Sequence, residues 1–213
     1  MAFQLEQVKY KDILKIDKLQ IPEAKITCII GESGSGKTTL LRLLNNLISP
    51  DKGSIFYKGR NIEDIDPIQL RREVVMLPQN PTVFSGSVKD NLLIGLEFAE
   101  KDKVRDNVLS EILRLAQLDK PLSTIASTLS GGEKQRLALA RIMLLEPEVI
   151  LLDEPTSALD EGTEERVIES VVEFAKGKTR TLIMVVHSKS IAQRFADVAV
   201  TIQGGGVVAE EGL

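Results

Sequence analysis

The chain reads as an α/β protein: a mainly parallel β-sheet with flanking helices, an N-terminal antiparallel β part and an inserted helical subdomain. Three observations predict this. Short runs rich in β-branched residues alternate with longer stretches that carry apolar residues three and four apart, the order expected when parallel strands are covered by helices on both faces. A glycine-rich loop, Gly31-Glu32-Ser33-Gly34-Ser35-Gly36, joins one such strand to the helical pattern that follows it. Strand signal then disappears between Gln79 and about Thr128, where only helical patterns and loops remain.

Along the chain, residues 3–9 and 14–21 come first and have the look of antiparallel β pieces. The strands of the main sheet are expected at residues 25–30, 73–77, 148–152, 181–186 and 198–202, with a further strand-like stretch at 206–210. Helices are expected at residues 37–47, 102–117, 132–145, 163–175 and 188–195, and a shorter helical pattern at 88–93. Residues 1–213 are read as a single domain in which about 80–128 form the inserted lobe and 129–136 lie at its end. No tandem repeat, low-complexity tract or useful heptad run interrupts this order.

Composition narrows the function classes. With 27 basic and 31 acidic residues the net charge is −4, which supplies no global basic field for tracking a nucleic-acid backbone, so no nucleic-acid partner is expected. The single cysteine, Cys28, sits in the apolar run Ile26-Thr27-Cys28-Ile29-Ile30. It reads as a small core hydrophobe in a reducing, cytoplasmic setting. The first eight residues alternate polar and apolar side chains and lack the basic-then-apolar order of a signal peptide. No apolar run approaches the roughly 20 residues that span a bilayer as a helix, so work at a membrane would need another protein to form the pathway.

The chemistry begins at Gly31-Glu32-Ser33-Gly34-Ser35-Gly36-Lys37-Thr38, which fits the phosphate-loop pattern G-x-x-x-x-G-K-[ST] between a strand and a helix. Its glycines let backbone N–H groups and the positive end of the following helix face an anion. Gly31, Ser33, Gly34, Ser35, Gly36, Lys37, Thr38 and Thr39 are therefore the candidate ATP-binding residues, with Lys37 reaching the β- and γ-phosphates and Thr38 offering its hydroxyl to Mg²⁺.

A second element is the apolar strand Val149-Ile150-Leu151-Leu152, which ends in Asp153-Glu154. A buried parallel strand releases charge at the carboxyl edge of its sheet, where ligands bind. Asp153 is suited to Mg²⁺. Glu154 points the other way, as successive strand residues must, and is placed for a general base acting on water.

Kinases and GTPases share those two elements; what discriminates lies between and after them. Leu129-Ser130-Gly131-Gly132-Glu133-Lys134-Gln135-Arg136 resembles the signature of the ABC (ATP-binding cassette) family, and Pro155-Thr156-Ser157-Ala158-Leu159-Asp160 resembles its D-loop. The resemblance covers essentially the whole chain, departing at Glu133, where the family usually has glutamine. It implies a P-loop NTPase fold and an ATPase that powers a membrane transporter. Ser130, Gly131 and Gly132 would complete the ATP site of a second subunit, with Ser157 and Asp160 at the seam of a homodimer or of a heterodimer with another cassette. Ser130 with Glu133 three residues on also reads as a helix capping box, and both readings hold together.

By the same resemblance His187, the only histidine, would hydrogen-bond the γ-phosphate and hold the attacking water near Glu154. Gln79 would reach Mg²⁺ and link the site to the helical lobe, and Tyr10 is the candidate for stacking on the base. The implied partner is a separate transmembrane permease, met through a groove near Gln79, at the cytoplasmic face of the membrane. The pairing of segment 78–92 with a very short lobe and with 129–136 further resembles small bacterial cassettes of the iron- or metal-export type. Two other readings stand against this one. A soluble ABC ATPase of repair or translation would carry tandem cassettes, zinc modules or long coiled coils, and a small-molecule kinase would leave 129–136 and 157–160 unexplained.

Overall fold

A computed structural model of the chain describes residues 1–157, 159 and 161–213, with the side chain of Glu161 left aside. Strands β1 (Phe3–Tyr10) and β2 (Leu14–Ile21) form an antiparallel hairpin with Phe3 opposite Ile21 and Tyr10 opposite Leu14. Then β3 (Ile26–Ile30) runs through the glycine-rich loop into α1 (Lys37–Leu44), and β4 (Lys52–Tyr57) and β5 (Arg60–Asn61) return to the hairpin. Helix α2 (Pro67–Glu73) leads into β6 (Val74–Leu77). Three helices follow, α3 (Val88–Phe98), α4 (Asp106–Leu115) and α5 (Gly131–Leu145). The chain closes with β7 (Val149–Asp153), α6 (Glu161–Gly177), β8 (Thr181–Val185), α7 (Lys189–Phe195), β9 (Val198–Gln203) and β10 (Gly206–Gly212).

These strands make two sheets. One is antiparallel, in the order β2-β1-β4-β5; the other runs β10-β9-β3-β8-β7-β6 and is parallel except for its edge strand β10. The central strands β3, β7 and β8 are apolar at all positions but Thr27, Asp153 and Thr181, because both of their faces are covered. Ile150 and Leu152 of β7 join the helices in one core, while Val149 and Leu151 join α1 and the antiparallel sheet in a second. Leu182 and Met184 of β8 face the first core, and Ile183 and Val185 the second. Each such side chain, removed wholly from water, contributes about 1.5–3 kcal/mol.

Helices α3 and α4 pack on α5, and Leu92, Leu96, Leu109 and Leu113 belong to the same continuous core as Ile150 and Leu182. The starts of α2, α3 and α5 have a local side-chain cause. Ser87 and Asp90 form a capping box for α3, Ser130 and Glu133 one for α5, and Asp66 with Pro67 at the first helical position starts α2. Helix α2 and strands β4 and β5 fall outside the sequence expectation, and Glu73, expected at a strand start, ends α2. Its carboxylate accepts a hydrogen bond from the Tyr57 hydroxyl at 3.0 Å, which ties the two sheets together at this end.

The topology places the chemistry. The phosphate loop leaves β3, Gln79 follows β6, Glu154 follows β7 and His187 follows β8. All four strands are parallel neighbours in one sheet, so all four segments emerge at the same carboxyl edge.

Candidate functional site

The phosphate loop is boxed in by neighbours that tolerate only glycine at two positions. Gly31 has φ +151°, and a Cβ there would lie 2.1 Å from the Ile202 carbonyl oxygen of β9. Gly36, at φ +102°, would bring a Cβ within 2.8 Å of the Leu14 side chain of β2. Both sheets thus shape the loop. Inside it the Lys37 ammonium donates to the Gly31 and Glu32 carbonyls, each at 2.8 Å, so a positive charge is held at the mouth of α1. Ser35 Oγ is buried with no hydrogen-bond partner among the described residues. Such a group costs stability unless a ligand or water meets it.

At the end of β7 the two acids part. Asp153, 2% exposed, accepts a hydrogen bond from Thr38 Oγ1 at 3.0 Å. Burial pushes its carboxyl up from the ordinary value, with the Glu154 charge acting the same way and the Thr38 hydrogen bond, Arg42 and Lys37 acting against. A cation beside Thr38 and Asp153 would relieve that cost. Among the described residues no three His, Cys, Asp or Glu side chains could hold a metal by themselves. Mg²⁺ does not require it, because one or two protein ligands and phosphate oxygens suffice.

Glu154 has φ +49°, a left-handed backbone that costs a non-glycine residue about 1–2 kcal/mol. The turn aims its carboxylate across the cleft. Oε2 accepts a hydrogen bond from Gln79 Nε2 at 2.6 Å, and Oε1 lies 2.8 Å from His187 Nε2. Its carbonyl oxygen accepts from the Ser157 N–H at 3.2 Å and from Gln135 Nε2 at 3.1 Å. A cleft of about 440 Å³ gathers Ser33, Gly34, Gly36, Lys37, Thr38 and Thr39 of the loop with Gln79, Glu154 and His187. Gly31 and Asp153 lie behind this lining and shape it.

A model of the family described as "ABC transporter" matches residues 14–157, a span that runs from β2 through the acidic strand end. The chain belongs to the ABC transporter family. It is 43% identical over 203 residues to Protein STAR1 of Oryza sativa subsp. japonica, covering 95% of this chain and 58% of that one. It is 41% identical over 197 residues to ABC transporter I family member 17 of Arabidopsis thaliana, covering 92% and 74%. The chain therefore spans somewhat more than half of the first relative and about three quarters of the second. Among solved structures, the dimeric post-hydrolysis state of the ATP-binding cassette MJ0796 bound to ADP and Pi superposes with a TM-score of 0.88 at 28% identity, covering 99% of this chain and 98% of that one. The P-loop NTPase architecture expected from the sequence is the fold of this ABC cassette.

The ABC signature lies elsewhere on the chain. Ser130 caps α5 with its hydroxyl accepting the Glu133 N–H at 3.3 Å, while Glu133 Oε2 accepts the Ser130 N–H at 2.8 Å. Glu133 Oε1 meets Lys120 Nζ at 3.0 Å. These contacts, the Ser130 N–H first, hold the Glu133 carboxyl down at about 2. Neither Ser130 nor Gly131 nor Gly132 lines the cleft of the phosphate loop. Asp160 lies outside the described residues.

Tyr10 is not brought to the cleft either. Its ring is half-buried against the sheet-side core, with Lys11 Nζ 5.1 Å from its centroid. Ile13 lines the cleft in its place, on the turn between β1 and β2. Sequence reasoning passed over Ile13, although a single apolar residue in the polar turn Lys11-Asp12 was a signal. It also passed over Gln135, for which only the fold supplies one: the side chain is 3% exposed in the middle of an apolar helix face.

Proposed function

We propose that the chain is the ATP-hydrolysing subunit of an ABC transporter and works as a nucleotide-driven clamp. The observation that carries this is Glu154 held at both carboxylate oxygens by Gln79 and His187, across one cleft from Lys37 and Thr38. The donor set fits a Mg²⁺-bound triphosphate: the buried, unpartnered Ser35 hydroxyl, the ammonium of Lys37, the helix mouth at Gly36 and the Thr38–Asp153 pair. When bound, Mg²⁺ neutralises charge on the phosphate oxygens. Lys37 and the loop amides hold the β- and γ-phosphates. Glu154 takes the proton of the attacking water, and Gln79 and His187 keep its carboxylate turned to the spot where that water stands. His187 also hydrogen-bonds the γ-phosphate. Ile13, on the turn between β1 and β2, supplies the apolar contact for the base.

Ser130, Gly131 and Gly132 form the second phosphate surface, and they serve the nucleotide of a facing subunit in a head-to-tail dimer, with Ser157 and Asp160 at the seam. ATP closes this dimer by adding contacts across it, and hydrolysis removes them. The lobe of residues 80–128 moves with this cycle. Copies carrying Lys37→Ala and copies carrying a disabled Ser130 are each expected to be inactive, whereas their mixture regains hydrolysis at one intact composite site. A mixture as dead as its parts would overturn the pairing.

The membrane partner docks in a groove of about 400 Å³ bounded by α2, β6, α3 and α5. Ile68 and Phe98 are 57% and 64% exposed there, and Arg71 and Arg141 supply positive charge, while Arg72 is paired with Glu100. The surface suits an amphipathic helix with an acidic residue. No helix of the described residues is long and apolar enough to cross a membrane; in this reading a permease supplies the pathway, and this chain sits at its cytoplasmic face. The reading fails if no protein with several apolar spans co-purifies with it. For cargo, the resemblance carried by segment 78–92, the short lobe and 129–136 together supports export of iron or another metal ion, tested by loading vesicles that contain the complete complex with candidate solutes.

A further inference from the structure

One side chain joins the two functional ends of the molecule. Helix α5 begins at Ser130, the signature, and one turn later carries Gln135, which is buried and reaches to the end of β7. Its Nε2 donates to the backbone carbonyl of Glu154 at 3.1 Å. That carbonyl belongs to a residue in a left-handed conformation, φ +49°, on which the direction of the carboxylate depends. Two donors meet it, Gln135 Nε2 and the Ser157 N–H. The second is a bond within the turn and moves with it. The first comes from a helix anchored in the core by Leu137, Leu139 and Met143. It fixes the turn to the body of the protein.

We propose that Gln135 is a positioning residue for hydrolysis: by holding the Glu154 carbonyl it keeps the backbone from which the carboxylate reaches Gln79 and His187. This rests on the reading of Glu154 as general base. Without the bond the turn relaxes toward an ordinary φ, and the carboxylate leaves its two partners. Nucleotide binding is untouched, because Lys37, Thr38 and Asp153 are held by contacts that do not involve Gln135. One helix then presents the signature to the partner's nucleotide and steadies the base that acts on its own. A catalytic contact by Gln135 itself is not implied, since it touches main chain and does not line the cleft.

The substitution Gln135→Leu isolates the effect. It removes the donor, keeps the volume, and deletes Gln135 Oε1, a buried oxygen with no partner among the described residues. The Glu154 carbonyl keeps its bond from Ser157, so folding is expected to survive, with Gln135→Met as the second variant should leucine lower the melting temperature. The decisive measurement uses dimers in which one copy carries Lys37→Ala, so that only the other copy's phosphate loop works. Gln135→Leu placed in the working copy is expected to lower kcat by about tenfold or more, with the KM for ATP within about twofold. Placed in the Lys37→Ala copy, which supplies the signature, it should leave kcat within about twofold. Equal losses in both placements, or a loss only in the second, would mean that the substitution damages α5 and its signature, and would overturn the proposal. No hydrolysis by dimers with native Gln135 would overturn the functional reading on which it stands.

Discussion

The two phosphate-facing regions are built in opposite ways. Around the phosphate loop most functional side chains are tied to other segments, Thr38 to Asp153 and Glu154 to Gln79, His187 and Gln135, while Lys37 is held by carbonyls of its own loop. At the signature the bonds are local. Ser130 and Glu133 satisfy each other within one helical turn, and Lys120 is the nearest addition. The first region is a site that one chain completes as far as the base. The second is a helix end whose capping box is complete within one turn.

The sharpest break in this contrast is Glu154→Gln. It keeps the side-chain volume and removes the base, so turnover should fall by about 10²- to 10⁴-fold while ATP binding persists and the ATP-bound dimer accumulates. Single-turnover assays and size-exclusion chromatography read both. Normal hydrolysis would remove Glu154 from the mechanism.

Ser130→Asp separates the local role of the signature from the intermolecular one. Aspartate caps helices as well as serine, so thermal stability should hold within about 1 kcal/mol. A new negative charge would face the partner's nucleotide, however, and ATP-dependent dimerisation is expected to fall by about tenfold or more. Unchanged dimerisation would make the signature a cap and nothing else.

Smaller in reach is Gly31→Ala. The Cβ would collide with the Ile202 carbonyl, and a destabilisation of about 1–3 kcal/mol is expected in urea unfolding, together with weaker ATP binding. Unaltered stability would show that β9 does not confine the loop.

The smallest effect concerns acid. Because contacts in the folded chain lower the Glu133 carboxyl from 4.5 to about 2, its contribution is present above pH 4.5 and is lost as pH falls toward 2. Glu133→Gln should flatten stability against pH in that window, by no more than about 1 kcal/mol for so exposed a pair. A flattening at neutral pH instead would place the charge coupling elsewhere.

Much of the site was legible because its parts are contiguous in sequence. The loop 31–38, the acids after the apolar run 149–152 and the signature 129–132 each carry their chemistry within a few residues, and the structure puts them at the strand ends and helix start that those patterns imply. Gln135 was illegible for the opposite reason. Its meaning is a contact with Glu154, 19 positions away, across the seam between a helix and a strand. Tyr10 draws attention because aromatic character is visible in sequence, whereas the facing of the turn that brings Ile13 to the cleft is not. Likewise α2 buries only Leu70, and β5 has only two residues. Neither makes a period long enough to read, and both form because β4 is there for β5 to pair with and β6 for α2 to cover.

Cys28 has a practical consequence for all of these measurements. Its thiol is wholly inaccessible in the middle of β3, and burial raises it to about 12, so at neutral pH it offers no thiolate to an alkylating reagent. The native polypeptide therefore has a silent background for maleimide chemistry. A cysteine introduced on the exposed face of α4 or beside Ser130 would be the sole reactive thiol, and a fluorophore there could report opening and closing in real time.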